Sequence, residues 1–263
     1  MKRLLTAMIA MIAACVTAFS AVQANVMDDI LGRGELRIAV QTQGPPVSFV
    51  DKNGTRTGLA IDLAQMMADD LGVRLVIQDY DWKGLIPALL SGKVDMIAAD
   101  MTPTPQRAAQ LLFSRPMFYQ ETVAIVADNS TATSWEELNR AGLNIGATQA
   151  SSYSEAIKKF MPDATLKEFA GGTAATAQAL ATGRLDAMVS DLGNVSSFVN
   201  EFGNLRILDG VITREPLAFA VGPDSVHLKF WLDNYVELIT QDKRLEEKID
   251  YWWNTTQWEA DHR

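Results

Sequence analysis

The chain has 263 residues, 48% of them hydrophobic and 21% charged, with a formal net charge of −9. That length suits two packed cores, and such acidity argues against nucleic acid or anionic lipid as a partner, since both attract basic surfaces. The single cysteine, Cys15, excludes an internal disulfide and a cluster of thiolate metal ligands.

At the N-terminus, Lys2 and Arg3 precede an apolar run from Leu4 to about Phe19 and a small-residue site at Val22-Gln23-Ala24. This pattern predicts a cleaved export signal over residues 1–24, leaving Asn25 first in a mature protein of the periplasm. Ile12-Ala13-Ala14-Cys15 also resembles a lipoprotein processing site. The residues that would follow, VTAFSAVQA, are apolar where a tether is polar, so lipidation of Cys15 is the lesser alternative.

From there the periodicities alternate between strand and helix. A strand over Leu36–Val40, a helix over Ala60–Leu71 closed by Gly72 and a strand over Arg74–Gln78 make a first βαβ unit. A short helix near Gly84–Ser91 leads to a strand over Asp95–Ala99. Thr104-Pro105 then reads as an N-cap followed by proline at the first helical position. A second set follows: strands Thr122–Ala127, Asn144–Thr148 and Thr165–Phe169, a helix after Ser151-Ser152, a helix over Ala174–Thr182 and a strand over Asp186–Val189. A strand over Leu217–Val221 and helices near Val226–Thr240 and Arg244–Trp253 complete the chain. His227 and His262 read as solvated surface residues, and Asn129-Ser130-Thr131 as a loop.

Two segments carry the chemistry. In DWKGLIPALLSGKVDMIAADMTPTPQR (residues 81–107) and GRLDAMVSD (183–191), a helix ends near a glycine and an apolar strand runs out to polar residues at its C-terminal edge. That edge is where open α/β sheets bind ligands. The first edge supplies Arg107, a permanent cation with a planar fork matched to a carboxylate, and the second supplies Asp191, an acceptor for ammonium. Together they fit the two charges of an α-amino acid. A plain helix N-cap is the competing role for Asp191, and Asp186 reads as a turn residue.

These segments, taken in order with GELRIAV, the Pro45-Pro46 pair, GLAIDLAQMMADDLG, PLAFAVGPDS and a tryptophan-rich C-terminal stretch, resemble the periplasmic solute-binding proteins of polar amino-acid ABC importers, family 3 of the bacterial extracellular solute-binding proteins. The resemblance implies a periplasmic-binding-protein type II fold, with two interwoven α/β lobes on a two-strand hinge. It places lobe one at 25–123 and 218–263, lobe two at 124–217, and the hinge near 121–127 and 214–218. It implies a monomer that binds an amino acid without metal or cofactor, performs no catalysis and delivers its ligand to an inner-membrane ABC permease.

Carried over by position, Arg107 holds the ligand carboxylate, Asp191 its ammonium, Thr102 adds a contact and Trp82 forms an aromatic wall. Ser151 and Ser152 sit at a helix N-terminus suited to an anion. Gln41 and Gly44 stand where relatives often have an acid and an aromatic, and Asp100 where a glycine or serine is common, so cues to the side chain conflict. Cyclohexadienyl and arogenate dehydratases share the fold and are the alternative function. In that branch a glutamate acts as general acid three residues after the position of Asp191, and this chain has Asn194 there. A sensory input domain would normally sit beside a membrane span and signalling modules.

Overall fold

The computed structural model describes residues 25–42 and 44–263. Residues 1–24, where the sequence predicts an export signal and which include Cys15, lie outside them. Among the described residues, twelve strands and ten α-helices form one long ten-stranded sheet and a small two-stranded hairpin. They begin with α1 (Val26–Arg33), β1 (Glu35–Gln41), the hairpin β2 (Phe49–Val50) and β3 (Arg56–Thr57), α2 (Leu59–Leu71) and β4 (Arg74–Tyr80). A 3₁₀ turn at Trp82–Gly84 enters α3 (Leu85–Leu90). Then come β5 (Met96–Met101), α4 (Pro105–Ala108), β6 (Leu112–Phe113) and β7 (Phe118–Ala127). The second set is β8 (Asn144–Thr148), α5 (Ser152–Phe160), β9 (Thr165–Phe169), α6 (Gly172–Ala181), β10 (Ala187–Asp191), α7 (Leu192–Phe202) and β11 (Leu205–Ile207). The chain closes with β12 (Thr213–Val221), α8 (Val226–Gln241), α9 (Arg244–Ile249) and α10 (Gln257–His262).

The main sheet runs β4-β1-β5-β12-β7-β10-β8-β9, with β6 on β12 and β11 on β7. At one end β4, β1 and β5 are parallel, and at the other β10, β8 and β9 are parallel. Between them lie two long antiparallel strands that change partner midway. Ala218–Val221 of β12 pairs with β5 and Thr213–Leu217 with β7. Phe118–Thr122 of β7 pairs with β12 and Thr122–Val126 with β10. Both strands are longer than their sequence expectation, because the hydrophobic pattern marks only their buried ends.

Each half has a core on both sheet faces, which is why its strands are apolar runs. In the first, Ile38, Val40, Leu63, Met67, Phe219, Leu232 and Trp252 pack on one face, while Ala39, Leu85, Ile97 and Met101 pack on the other. In the second, Val126, Ile145, Ile157 and Val189 oppose Ile125, Leu180, Met188 and Phe198. The fold is mixed α/β and two-lobed, as the sequence implied. α2 starts one residue earlier than expected and ends at Gly72, whose φ of 69° sends its N–H back to the carbonyls of Ala68 and Asp69. At the N-terminal edge of β5, Asp95 takes hydrogen bonds from Arg33 (2.7 Å) and from the Arg37 guanidinium (2.7 Å) and backbone (2.8 Å).

The C-terminal region departs from its expectation. Instead of one helix to Trp253, α9 gives way to a π-helical turn at Asp250–Asn254, and α10 follows. The wider turn lets two adjacent tryptophans diverge. Trp252 is buried in lobe one, with Nε1 donating to Asp62 at 3.0 Å. The Trp253 ring meets Phe118 at 5.0 Å and lies so close over Gly193 of α7 that a Cβ there would be 2.3 Å from it. Arg263 also reaches α7, at Glu201 and Ser197 (both 3.5 Å). His262 is half-buried rather than solvated, stacked 4.9 Å from Trp252, and His227 is exposed as expected.

Candidate functional site

The C-terminal edges of β5 and β10 face each other across the junction of the lobes. Thr104 caps α4 as the sequence predicts, its Oγ1 accepting from the Arg107 backbone N–H at 3.4 Å, and this sets Arg107 in the first turn. Arg107 is 8% exposed. Its guanidinium donates to the carbonyls of Thr102 (3.0 Å) and Ala150 (3.0 Å) and sits 5.3 Å from the centre of the Trp82 ring. Burial pulls its pKa below the ordinary arginine value, opposed by Tyr153, Glu215 and Asp100.

Ala150 belongs to lobe two, so the second of these bonds crosses the cleft. Trp82 Nε1 donates to the same carbonyl at 3.3 Å. Ala150 holds φ at 59°, left-handed for a residue with a Cβ. That conformation aims its carbonyl at two donors of lobe one, a strained arrangement of the sort that clusters at binding sites.

On the other wall, Asp191 is fully buried and caps α7. Asn194 donates to it from its backbone (2.7 Å) and side chain (2.5 Å), and Tyr153 from its hydroxyl at 2.6 Å. Burial still raises the Asp191 pKa against those bonds. The capping and ammonium roles are compatible, because a carboxylate has about four acceptor positions. Tyr153 was not singled out from sequence. Its position in QASSYSEA, one residue past two serines at a helix start, was the available signal.

Asp100 is 9% exposed, adopts φ 47°, and takes no hydrogen bond at its carboxylate from the described residues. It lines a narrow cavity with Gln41, Trp82, Thr148, Ser151, Tyr153 and Asn194. Gln41 leans over Gly44, where a Cβ would lie 2.9 Å from its Oε1, so the space an aromatic would take is shared with the Gln41 amide. Thr102 Oγ1 donates to the buried Glu215 at 2.8 Å, and Glu215 also accepts from Thr213 at 2.9 Å and Thr122 at 3.4 Å. Ser151 caps α5, accepting from the Ser154 N–H at 3.2 Å and donating to the Thr148 carbonyl at 2.6 Å. Ser152 is half-buried at the first position of that helix. Asp186 accepts from the Asn144 N–H at 2.7 Å, the turn role read from sequence. A larger hollow of about 700 Å³ lies on lobe two near Asn129, Arg140 and Asp186, sharing no residue with this cleft.

Burial, and then the charge of Asp191, hold the Asp100 carboxyl well above the usual carboxylate range, with Arg107 acting the other way. The fold therefore retains a proton that the unfolded chain releases near 3.8. The stabilisation it contributes is full below that pH and is lost as pH rises through the folded value. Asn tolerates left-handed φ, so ligand-free Asp100→Asn is expected to melt above the parent at pH 7 and to converge with it in acid. A variant melting at or below the parent at pH 7 contradicts the assignment; calorimetric scans from acid to neutral pH decide it.

The comparisons with known proteins agree with this architecture. The ABC transporter arginine-binding protein 1 of Escherichia coli K12 is 23% identical over 223 residues, covering 83% of this chain and 90% of that protein. The L-cystine-binding protein TcyJ of the same strain is 23% identical over 229 residues, covering 87% of this chain and 86% of the relative. The crystal structure of the ancestral amino acid-binding protein AncCDT-1, a precursor of cyclohexadienyl dehydratase, superposes with a TM-score of 0.80 at 32% identity, covering 86% of this chain and 98% of that one. A family model described as bacterial extracellular solute-binding proteins, family 3, matches residues 36–255, and the chain belongs to that family.

Proposed function

We propose that the protein is a monomeric periplasmic receptor that captures an amino acid between its lobes and delivers it to an ABC importer of the inner membrane. The observation that carries this reading is the Ala150 carbonyl, which accepts from both Arg107 and Trp82 across the cleft. A ligand carboxylate on Arg107 would join the same contact, and an ammonium would meet the acids opposite. Closure is then stabilised by the ligand's differential affinity for the closed form. The lobes are 25–123 with 218–263 and 124–217, turning where β7 and β12 change partner near 121–127 and 214–218. Thr102, Trp82, Gln41, Ser151 and Ser152 complete the wall, and residues 1–24 direct export.

The named relatives take arginine and cystine, so the family position leaves side-chain class to the local residues. A dehydratase reading draws on one feature, the Asp100 carboxyl in the cleft, which burial holds well above the usual carboxylate range. Against it, Asn194 has no proton to give in acid catalysis, and its amide is committed to Asp191. Titration calorimetry on refolded, ligand-free protein separates the two. A panel of amino acids should give saturable one-to-one heat from at least one member, while sustained heat on each injection of prephenate or arogenate would establish turnover instead.

A further inference from the structure

We propose that Asp100 is a direct acceptor for a second cationic group, so that the cleft selects amino acids with a positively charged side chain over neutral ones. The inference rests on the receptor reading above and deepens it.

The acids at the cleft differ in what already satisfies them. Glu215 is held by three threonine hydroxyls and Asp191 by three donors from Asn194 and Tyr153. Asp100 has none of these supports, although it is more than nine-tenths buried and lines the cavity. A buried carboxylate without a hydrogen-bond donor is costly, and the backbone that presents this one is left-handed. Nearby, the Gln120 amide meets the Tyr153 hydroxyl through Nε2, while its buried Oε1 has no hydrogen-bond partner among the described residues. A carboxyl that lines the cavity without a donor fits a ligand head that is cationic and rich in N–H groups.

Charge balance points the same way. The groups electrostatically coupled to Asp100 are Asp191 of β10, Arg107 of α4 and Tyr153 of α5. Arg107 is the one cation in that set, and with Asp191 ionised it leaves Asp100 without a charge partner of its own. An α-amino acid is neutral overall and leaves Asp100 protonated, whereas a second cation lets Asp100 ionise, releasing a proton as it binds.

The test compares isosteres by calorimetry on refolded protein: L-arginine with L-citrulline, and L-lysine with L-norleucine. Each cationic member should bind at least about tenfold tighter than its neutral partner, and Asp100→Asn should narrow that gap to under about threefold, chiefly by weakening the cationic member. Proton release, measured in buffers of different ionisation enthalpy, should accompany the cationic ligand in the parent and vanish in the variant. Equal binding within each pair overturns the inference, and so does an equal loss for both members in Asp100→Asn, which would place the carboxylate at the α-ammonium instead. Silence from all four while another amino acid binds overturns it alone; silence from every amino acid brings down the receptor reading beneath it.

Discussion

Arg107→Ala is expected to weaken amino-acid binding by about two to four orders of magnitude, because a forked carboxylate contact comprises two charge-assisted bonds of about 1.5–3 kcal/mol each. The buried setting places the effect toward the upper end. At 8% exposure, water does not replace the lost donors well, and the carbonyls of Thr102 and Ala150 lose their partner in the same change. Arg107→Lys should fall between, keeping a charge but not the planar fork. Calorimetry checks both, with circular dichroism to verify the fold. An alanine variant that binds within about tenfold of the parent would remove Arg107 from the site.

The largest effect on stability is expected at Trp252→Ala. The side chain is 2% exposed, contacts Phe49, Tyr251, Trp258 and His262, and donates to Asp62. Truncating a buried tryptophan costs about 3–5 kcal/mol. For a protein of this size each kcal/mol moves the midpoint by about 2–4 °C, so a fall of roughly 6–20 °C is expected in a thermal scan. A fall below about 5 °C would mean that the π-helical turn repacks around the gap and that the indole is not a keystone of lobe one.

Much of this molecule could be read from its residues because the deciding signals were local. Gly72 after an apolar stripe, and Thr104-Pro105 before Arg107, are caps whose geometry follows from a few neighbouring residues, and both stand where expected. The tripartite C-terminus was not legible. Trp252 and Trp253 are adjacent in sequence, and only a π-helical turn, set by tertiary packing on Phe49 and Gly193, turns the first into the core of lobe one and the second toward α7. The support of Asp191 by Tyr153 was equally hidden, since 38 positions separate them and the contact exists only once α5 and β10 are side by side. Asp100 was visible as an odd residue at its position, but its lack of a hydrogen-bond donor among the described residues required knowing every neighbour.

The placement of Trp253 has an optical consequence. Its indole lies in lobe one's C-terminal stretch with Phe118 on one side and Gly193 of α7 against its ring, and Asp191 caps that same helix. A relative movement of the lobes changes the polarity around this ring without any label being attached. Its emission is therefore expected to report the closure proposed above, and Trp253→Phe supplies the blank against which the signal of the other tryptophans can be subtracted.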